Sequence, residues 1–515
     1  MSGNSNDNTG ISNEEIARHA SRSSCWIIIK GQVYDITDYI PRHPGGEQIL
    51  LQYGGKDATA LYEPLHPEGT IEQTLPADRH LGSAAESGRA LVSTVNQQKD
   101  EEENEEKTEQ RDEQKNEQSD DMAPIPLSHC VNLDDVEKAA QRIISPSAWV
   151  FFHSAADSLG SLANNHNDWK KVTLRPRILR NVRRVNMERT LFGQKCKLPF
   201  FIAPAARAKL VHPRGELCLA KQAAEKGICY CPSVVSTVPH GDLAKEMTQY
   251  RRKDGYGTLV YQLYAAHEKE KTLERVRTAR ETGCKALVLT VDSPVVGKRE
   301  EDERYRAELA TASGDSSLLN EWMKPQESED GPPLRGHHSS TLNWDDLVWI
   351  REEWQNSGPI ALKGIQTAED AALALEYGID AVYLSNHGGR QCDDAPSALR
   401  TLLEIRKFYP EILGKIEIYL DGGVRRGADV IKALCLGATG VGLGRPFMYG
   451  VSMGDEGVAH VIRLVSEELE TTMRNMGVSS LDQLNPSYVN TKRLEWELPD
   501  RLGSPGPKTW QRSNL

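Results

Sequence analysis

The 515-residue sequence contains no apolar run that approaches the roughly 18 residues needed to span a bilayer. Its N-terminus, MSGNSNDNTGISNEE, lacks the apolar core of a secretory signal and the arginine-rich amphipathic character of a transit peptide. The formal net charge of −12 disfavours nucleic-acid binding, which needs a basic surface. These absences predict a cytoplasmic protein with no membrane and no nucleic-acid partner.

Cysteine pairs of the kind found in disulfide scaffolds and zinc sites are also missing. The nine cysteines are odd in number and scattered, and none forms a CxxC pair, which fits a reducing compartment. Cys229 and Cys231 would share one face of a strand, and we expect them in the core rather than on a metal. No GxGxxG motif opens a helix after the first strand, which argues against a nicotinamide cofactor.

An acidic segment divides the chain. Between Val95 and Met122 there is no apolar residue, and residues 99–121 carry twelve acidic against four basic side chains. A segment with nothing to bury cannot join a core. We therefore predict a flexible linker over residues 96–121, between a small domain (10–90) and a large domain (125–480). Residues 481–515 are predicted to form a C-terminal tail.

The small domain combines a strand pair with two histidines. The runs Trp26 to Ile29 and Gln32 to Asp35 predict two short strands that turn at Lys30-Gly31. His43 precedes Pro-Gly-Gly, a turn that projects a side chain, and His66 follows a short helical stretch. With the intervening GKDAT, this pattern resembles the cytochrome b5 haem-binding domain.

That resemblance implies a small α+β domain that binds haem b, with His43 and His66 as axial ligands of the iron. Two imidazoles close both faces of the iron, which disfavours oxygen binding and favours one-electron transfer. His19 and His80 are the competing second ligands, although neither lies in the matching segment.

Eight short apolar runs recur through the large domain. They are LPFFIAP, ICYCPSVVS, TLVYQLY, ALVLTVD, IALKGI, AVYLSN, IEIYLDGG and GVGLGRP. Helix-like amphipathic stretches such as TLERVRTARETG and TAEDAALALEYG separate most of them. This alternation predicts an α/β fold of the closed (β/α)8 TIM barrel type. The long polar interruption between Asp292 and Ile360 predicts a mobile lid.

Polar or glycine residues end nearly every predicted strand. In a (β/α)8 barrel the active site is built at the C-terminal strand ends, and phosphate is commonly held after strands seven and eight. DGGVRRG at 421–427 and GRP at 444–446 follow those two strands. Their glycines allow backbone N–H groups to approach a phosphate, and Arg445 supplies a charge-assisted contact.

A set of motifs resembles the FMN-dependent 2-hydroxy-acid oxidase and dehydrogenase family. They are LRPR at 174–177, QLY at 262–264, TVD at 290–292, KG at 363–364, SNHGGRQ at 385–391, DGGVRRG and GRP. The resemblance runs from about residue 130 to 480 and implies a barrel that binds FMN. Joined to the small domain, it is similar to the flavocytochrome b2 family of L-lactate dehydrogenases, which hand electrons to cytochrome c.

His387 and Arg390 form the centre of the predicted chemistry. The planar, always charged guanidinium of Arg390 can hold a substrate carboxylate with two hydrogen bonds. His387 can accept a proton from the substrate, because the ordinary pKa of imidazole lies near neutrality, and Asp292 would stabilise the imidazolium. The resemblance implies that Tyr264 contacts the substrate hydroxyl and that Arg299 lies close by as a second cation.

The resemblance also implies the contacts with FMN. Lys363 would lie beside the flavin ring edge, where a positive charge favours the reduced, anionic ring, and we group it with the catalytic residues. The other predicted contacts to the ring, ribityl chain and phosphate are Ser236, Gln262, Thr290, Ser385, Asp421, Gly423, Arg425, Gly444 and Arg445.

One segment departs from the family's pattern. Where the family has YYxSGAxDE, this chain has FFHSAADSL at 151–159, so Phe151 replaces a tyrosine that touches the substrate carboxylate. A hydrogen bond to a charged group contributes about 1.5–3 kcal/mol. We therefore expect Phe151 to line the substrate site and to weaken the binding of L-lactate, without loss of the base, the flavin or the guanidinium.

The predicted activity is FMN-dependent oxidation of an L-2-hydroxy acid, first of all L-lactate to pyruvate, with electrons passed to haem and then to an acceptor such as cytochrome c. Two alternatives stay open: an oxidase that reduces oxygen, and an inactive haem-binding electron carrier. The resemblance also implies a homotetramer. A peroxisomal or mitochondrial location has weaker support, since the final SNL lacks the lysine of the SKL signal.

Overall fold

The structure is a computed structural model that describes residues 10–43, 50–51, 53–62, 66, 69–85, 124–314, 325–328 and 331–502. The chain forms two compact units, one of residues 1–124 with 142–146 and the other of residues 125–141 with 147–515. The predicted linker at 96–121, the Pro-Gly-Gly turn at 44–46 and residues 503–515 of the predicted tail lie outside the described residues.

The first unit is built on a four-stranded antiparallel sheet. Its strands, in spatial order, are Ala20–Ser21, Ser24–Ile29, Gln32–Asp35 and His80–Ser83. The second and third confirm the predicted pair. They turn at Lys30 and Gly31, which both have positive φ, as a type I′ hairpin turn requires. The helices Asn13–Arg18, Thr59–Tyr62 and Thr70–Thr74 accompany the sheet.

The core of the first unit follows the two-residue period of its longest strand. Cys25, Ile27 and Ile29 are buried, and the residues between them are less so. Ile71 and Leu75 complete the cluster from the last helix and its C-terminal end. The small unit therefore has a hydrophobic core of its own.

The second unit is a parallel barrel. Seven strands form one sheet in the order Phe200–Ile202, Gly440–Leu443, Glu417–Leu420, Ala381–Leu384, Ile360–Ile365, Leu287–Thr290 and Tyr261–Tyr264. Every neighbouring pair is parallel. Nearly all residues of these strands are buried, as expected where both faces of a sheet are covered.

The eighth predicted strand, ICYCPSVVS, makes isolated bridges instead of a regular ladder. Tyr230 forms single parallel bridges to Ile202 on one side and Leu259 on the other, so this segment closes the barrel. Pro232 interrupts the ladder because it has no N–H to donate. The predicted (β/α)8 architecture is therefore confirmed, with one irregular member.

Helices separate most of the strands. They are Glu216–Lys226, His240–Gln249, Lys269–Glu281, Leu347–Trp354, Ala368–Glu376, Ala398–Phe408, Gly427–Cys435, Arg445–Val451 and Gly454–Asn475. Leu133–Ile143, Pro146–His153 and Gly160–Lys171 precede the barrel, and Lys492–Glu495 follows it. Among the described helices, none combines the length and the apolar character that a membrane span needs.

The segment predicted as a mobile lid contains regular secondary structure. It begins with the helix Glu300–Ser313 and continues with an antiparallel pair, Pro325–Ser328 and Gly331–Arg335. Four acidic residues, 300–303, occupy the first turn of that helix, where they stabilise its positive end. Residues 315–324 and 329–330 lie outside the description.

A hairpin closes one end of the barrel. Its strands are Arg189–Leu191 and Gln194–Cys196, and Phe192 at its turn is fully buried and stacks on Tyr419 with ring centres 4.0 Å apart. The cluster around Phe192 includes residues at the strand starts, such as Ala361 and Ala381. The C-terminal strand ends therefore form the open end of the barrel. Further along the chain, Val489–Asn490 pairs with Thr173–Leu174, so residues beyond 480 also contribute to this unit.

Candidate active site

A cavity of about 440 Å³ lies at the C-terminal ends of the barrel strands. Eleven of the predicted site residues line it: Phe151, Tyr264, Arg299, Lys363, His387, Arg390, Asp421, Gly423, Arg425, Gly444 and Arg445. The barrel thus brings together side chains that lie far apart in the sequence, in the place where such barrels build their sites.

His387 lies just beyond the strand Ala381–Leu384, in a left-handed backbone conformation with φ of +60°. Its Nδ1 atom lies 2.8 Å from Oδ1 of Asp292. Its Nε2 atom lies 3.3 Å from the hydroxyl of Tyr264, which lines the cavity. Because Asp292 holds Nδ1, Nε2 is the nitrogen available to a substrate.

Asp292 carries the negative charge behind His387. Its side chain has no exposed surface, and Oδ2 has no hydrogen-bond partner among the described residues. Burial alone would raise the pKa of Asp292, but the charges of His387 and Lys363 bring it below its ordinary value. Burial lowers the pKa of His387, which Asp292 opposes and Lys363 reinforces. The pair therefore rests as a carboxylate beside a neutral imidazole, the form that accepts a proton.

Gly364 lets Asp292 approach the strand that carries Lys363. Its φ is +105°, and a Cβ atom at this position would lie 2.6 Å from Cβ of Asp292. Any side chain here would displace the carboxylate. The KG motif therefore has a steric reason in addition to the charge of its lysine.

Arg390 is oriented by backbone carbonyl groups. Its Nη1 atom donates to the oxygens of Phe151, Phe152 and Ser154 at 2.9, 3.2 and 3.1 Å. Within the described residues, all hydrogen bonds of Arg390 involve Nη1. Burial lowers the pKa of Arg390 well below its usual range, and neighbouring Arg299 lowers it further. A bound carboxylate would relieve this repulsion.

Arg299 and Tyr264 complete the wall around His387. Burial lowers the pKa of Arg299 to about 10, so its side chain remains a cation at neutral pH. Burial and the charge of Asp292 raise the pKa of Tyr264, so its hydroxyl stays protonated and can donate. The ring of His338 stacks on Tyr264 with centres 4.0 Å apart. His338 lies in the long polar interruption, away from the strand-end motifs, so no local pattern in the sequence places it beside Tyr264.

Lys363, Ser385 and Asp421 form a hydrogen-bonded chain at the strand ends. Lys363 Nζ donates to Ser385 Oγ at 3.0 Å, and that hydroxyl donates to Asp421 Oδ1 at 2.6 Å. Gln262 Nε2 donates to Thr290 Oγ1 at 2.9 Å. Ser385, Gln262 and Thr290 lie behind the residues that line the cavity, in positions that support the lining rather than form it.

Arg425 fits a phosphate. Its Nη2 atom is 2.5 Å from Glu137 Oε2, whereas Nη1 is buried without a hydrogen-bond partner among the described residues and lies 3.9 Å from Asp134 Oδ1. An unsatisfied buried donor is costly, and the phosphate of FMN would satisfy it. Gly423 and Gly444 line the same part of the cavity. The residues present therefore fit the cofactor at its phosphate end.

Arg445 differs from its predicted role. Its Nε, Nη1 and Nη2 atoms donate to the backbone oxygens of Phe152, Gly388 and Ser154 at 2.9, 2.9 and 3.0 Å. Each nitrogen of the guanidinium thus has a backbone acceptor. In this structure Arg445 fastens the segment after Phe151 to the loop of His387 instead of pointing at a phosphate.

Ser236 does not line the cavity, although the sequence predicted a flavin contact for it. Ser233, Val234 and Val235 line it instead, and Ser236 Oγ accepts from the N–H of Val238 at 3.4 Å. The irregular strand around Pro232 ends its pairing at Ser233, so the polar residue at the true strand end lies three positions earlier.

His43 and His66 face each other in the first unit. Their ring centres are 6.0 Å apart. An imidazole nitrogen stands about 2 Å from a metal that it binds, so one iron fits between the two rings. His66 Nδ1 lies 3.1 Å from the carbonyl oxygen of Tyr62, which leaves Nε2 for the iron. The two competing histidines contact other rings. His19 stacks on Trp26 with ring centres 3.6 Å apart, and the ring of His80 lies 5.1 Å from that of Tyr34.

Comparison with protein families assigns both units to a class. Residues 140–491 match the FMN-dependent dehydrogenase family, and residues 12–85 match the cytochrome b5-like heme/steroid binding domain. The chain belongs to the FMN-dependent dehydrogenases and carries a cytochrome b5-like domain on its N-terminal side. FMN and haem are its cofactors.

More particularly, the chain is similar to flavocytochromes over both units. The L-lactate dehydrogenase (cytochrome) of Wickerhamomyces anomalus is 37% identical over 485 residues, which are 93% of this chain and 80% of that relative. Its Saccharomyces cerevisiae counterpart is 33% identical over 94% of this chain and 80% of its own. A mutant flavocytochrome b2 solved with pyruvate bound has a TM-score of 0.63 and 30% identity, over 80% of this chain and 97% of that one.

Proposed function

We propose that this protein oxidises an L-2-hydroxy acid, with L-lactate to pyruvate as the reference reaction, and passes the electrons to a one-electron acceptor such as cytochrome c. One observation carries the proposal: His387 is held by Asp292 at one nitrogen and presents the other beside Tyr264, in a cavity with Arg390 and Arg299. The relatives named L-lactate dehydrogenase (cytochrome) support the substrate and the acceptor.

The side chains divide the work of binding and proton transfer. Arg390 and Arg299 hold the substrate carboxylate, and Tyr264 donates to the substrate hydroxyl oxygen. The substrate loses two electrons and two protons, with one hydrogen leaving C2 and one leaving the hydroxyl oxygen, and His387 Nε2 accepts one of the protons. Asp292 stabilises the imidazolium that forms. Bound FMN supplies the two-electron acceptor, and haem the one-electron carrier.

The geometry of the haem histidines favours a carrier over an oxygen-binding site. His43 and His66 would hold the iron from both faces of the haem, which would leave no open coordination site for oxygen. A haem held in this way would supply one-electron transfer. The homotetramer and the cytoplasmic location stay predictions, which sedimentation and imaging of the tagged protein would test.

Steady-state turnover with alternative acceptors tests the proposal. With L-lactate or another L-2-hydroxy acid, we expect reduction of ferricytochrome c at a rate well above that of hydrogen peroxide formation in air. Peroxide formation as the main outcome would make the protein an oxidase. Absence of turnover with every 2-hydroxy acid would support the inactive electron carrier.

A further inference from the structure

His338 lines the cavity and has no part in the function proposed above. It belongs to the long segment between the strands Leu287–Thr290 and Ile360–Ile365. Its ring stacks on that of Tyr264, with centres 4.0 Å apart and planes inclined by 9°. The ring of Tyr264 is also nearly parallel to that of His387, at 6.2 Å and 16°. Among the described residues, His338 therefore supplies the nearest ring to Tyr264.

A hydrogen bond fixes the orientation of the His338 ring. Its Nδ1 atom lies 3.1 Å from the carbonyl oxygen of Ser293. A carbonyl oxygen can only accept, so Nδ1 carries the proton and donates it. Ser293 directly follows Asp292, and its Oγ donates to Asp292 Oδ1 at 3.0 Å. The imidazole of His338 is therefore attached to the segment that holds the carboxylate of the catalytic pair.

The backbone of His338 is attached to the strand end that carries Tyr264. His338 forms an antiparallel bridge with Ala266, and the N–H of Ser339 donates to the carbonyl oxygen of Ala265 at 2.8 Å. These two alanines directly follow Tyr264 in the chain. Side chain and backbone together thus fix His338 to the ends of two barrel strands, those that lead to Tyr264 and to Asp292.

The hydroxyl of Tyr264 needs a support of this kind. It lies 3.3 Å from Nε2 of His387, and it stands at the far end of a side chain with two rotatable bonds. A displacement of about 1 Å in a reacting site can cost about 100-fold in rate. Arg275 donates to the carbonyl oxygen of Tyr264 at 2.7 Å, which holds the main chain but not the ring. The stack with His338 acts on the ring itself.

His338 provides this support without adding charge. Burial lowers the pKa of His338 to about 4. The hydrogen bond with Ser293 opposes that lowering, and the charges of His387 and Arg275 reinforce it. The ring is therefore neutral at neutral pH and does not repel the imidazolium that forms on His387. Its contribution at this place is a flat, fixed surface.

We propose that His338 is a positioning residue that holds the ring of Tyr264, and through it the hydroxyl that donates to the substrate. The proposal rests on the proposed function, which gives that hydroxyl its role. His338 accepts no proton in the reaction. The substrate carboxylate stays at Arg390 and Arg299, so loss of His338 should act on the rate of flavin reduction and change the apparent Kd of the substrate much less.

Three variants of the purified holoenzyme test the stack. His338→Ala removes it, and we expect flavin reduction by saturating L-lactate to slow roughly tenfold or more in anaerobic stopped-flow measurements. His338→Phe keeps a neutral flat ring and should stay within about threefold of the wild type. His267→Ala is the matched control, because it removes an exposed histidine near Tyr264 that does not line the cavity. A His338→Phe rate as low as that of His338→Ala would overturn the proposal.

A double-mutant cycle shows whether His338 acts through Tyr264. Tyr264→Phe keeps the ring and removes the hydroxyl that the stack is proposed to hold. In that background, His338→Ala should slow flavin reduction by less than about twofold, because no hydroxyl is left to misplace. The same loss in both backgrounds would show that His338 acts independently of the hydroxyl, and the proposal would fail.

Crystal structures of the variants give a result that does not depend on turnover. We expect the Tyr264 ring to be displaced or to take several conformations in His338→Ala and to keep its place in His338→Phe. An unmoved Tyr264 ring in His338→Ala would overturn the role of His338 and leave the dehydrogenase activity intact. If no acid reduces the flavin of the wild type, the proposed function fails, and the position of the ring still decides whether His338 holds it.

Discussion

Nδ1 of His387 lies 2.8 Å from Oδ1 of Asp292, and this contact determines which imidazole nitrogen a substrate meets. The two residues are 95 positions apart and follow different barrel strands. The carboxylate is fully buried, so water does not screen its charge. The orientation of the base and the stability of its protonated form therefore depend on the same side chain.

Replacement of that carboxylate by an amide should slow the chemical step. Asp292→Asn keeps the shape but removes the charge that stabilises the imidazolium, and we expect flavin reduction to slow by roughly 100- to 10,000-fold. Stopped-flow absorbance under anaerobic conditions measures this rate. Asp482→Asn, which changes a highly exposed carboxylate, is the control. An Asp292→Asn rate within threefold of the wild type would contradict the assigned role.

The pH dependence of kcat/KM should report the state of His387. Burial lowers its pKa, so the proton-accepting form predominates at neutral pH and activity falls only as the pH drops below the ordinary value of about 6.5. Asp292 opposes that lowering, so Asp292→Asn should move the acidic limb to still lower pH. A limb that moves upward in the variant would show that another group controls the profile.

Gly364 should tolerate no side chain. In Gly364→Ala, the new Cβ overlaps Asp292, and the backbone strain at φ of +105° adds about 1–3 kcal/mol to the loss of stability. Gly378→Ala is a matched control, because Gly378 has φ of +67° and open space around it. Urea unfolding should therefore show a larger loss for Gly364→Ala, together with slow flavin reduction. Equal losses in the two variants would remove the steric argument.

Loss of a haem ligand should not prevent reduction of the flavin. His66→Ala removes one of the two facing rings, so the bis-imidazole absorption bands should be lost while L-2-hydroxy acids still reduce the flavin. His80→Ala, which removes a ring next to Tyr34, should keep those bands. Absorption spectra of the reduced proteins decide between the ligands. Loss of the bands in His80→Ala and not in His66→Ala would show that His80 is the ligand and would contradict the assignment of His66.

Phe151→Tyr should restore a contact for small acids. The added hydroxyl can donate to the substrate carboxylate, and one such hydrogen bond contributes about 1.5–3 kcal/mol. We expect KM for L-lactate to fall by at least tenfold with little change in kcat. Steady-state kinetics with excess acceptor measures both. An unchanged or higher KM would show that position 151 does not contact the carboxylate.

Much of the site could be predicted because (β/α)8 barrels build their active sites at the C-terminal ends of the strands. Strand periodicity located the ends of seven strands, so His387, Asp292, Tyr264 and Lys363 could be placed at one rim before any coordinates. The pairing of His43 with His66 was implied by the resemblance of the whole segment, HPGG and GKDAT included, to the cytochrome b5 domain. In both cases the functional residues lie within or next to a recognisable sequence pattern, a strand end in the barrel and the matching segment in the small domain.

The rest depends on contacts between distant segments. The carbonyl oxygens of Phe152 and Ser154 that hold Arg445 lie nearly 300 residues before it, and no local pattern reveals their direction. Ser236, for which a flavin contact was predicted, does not line the cavity, whereas Ser233 does, because the pairing of this strand ends there, next to Pro232.

The most direct test of the account is an anaerobic visible spectrum of the purified protein before and after addition of an L-2-hydroxy acid. L-lactate, L-malate, glycolate and L-mandelate are added to separate samples. The account predicts bleaching of the flavin band, followed by the appearance of the reduced haem bands. A flavin that bleaches while the haem stays oxidised, or that never bleaches with any acid, would contradict it.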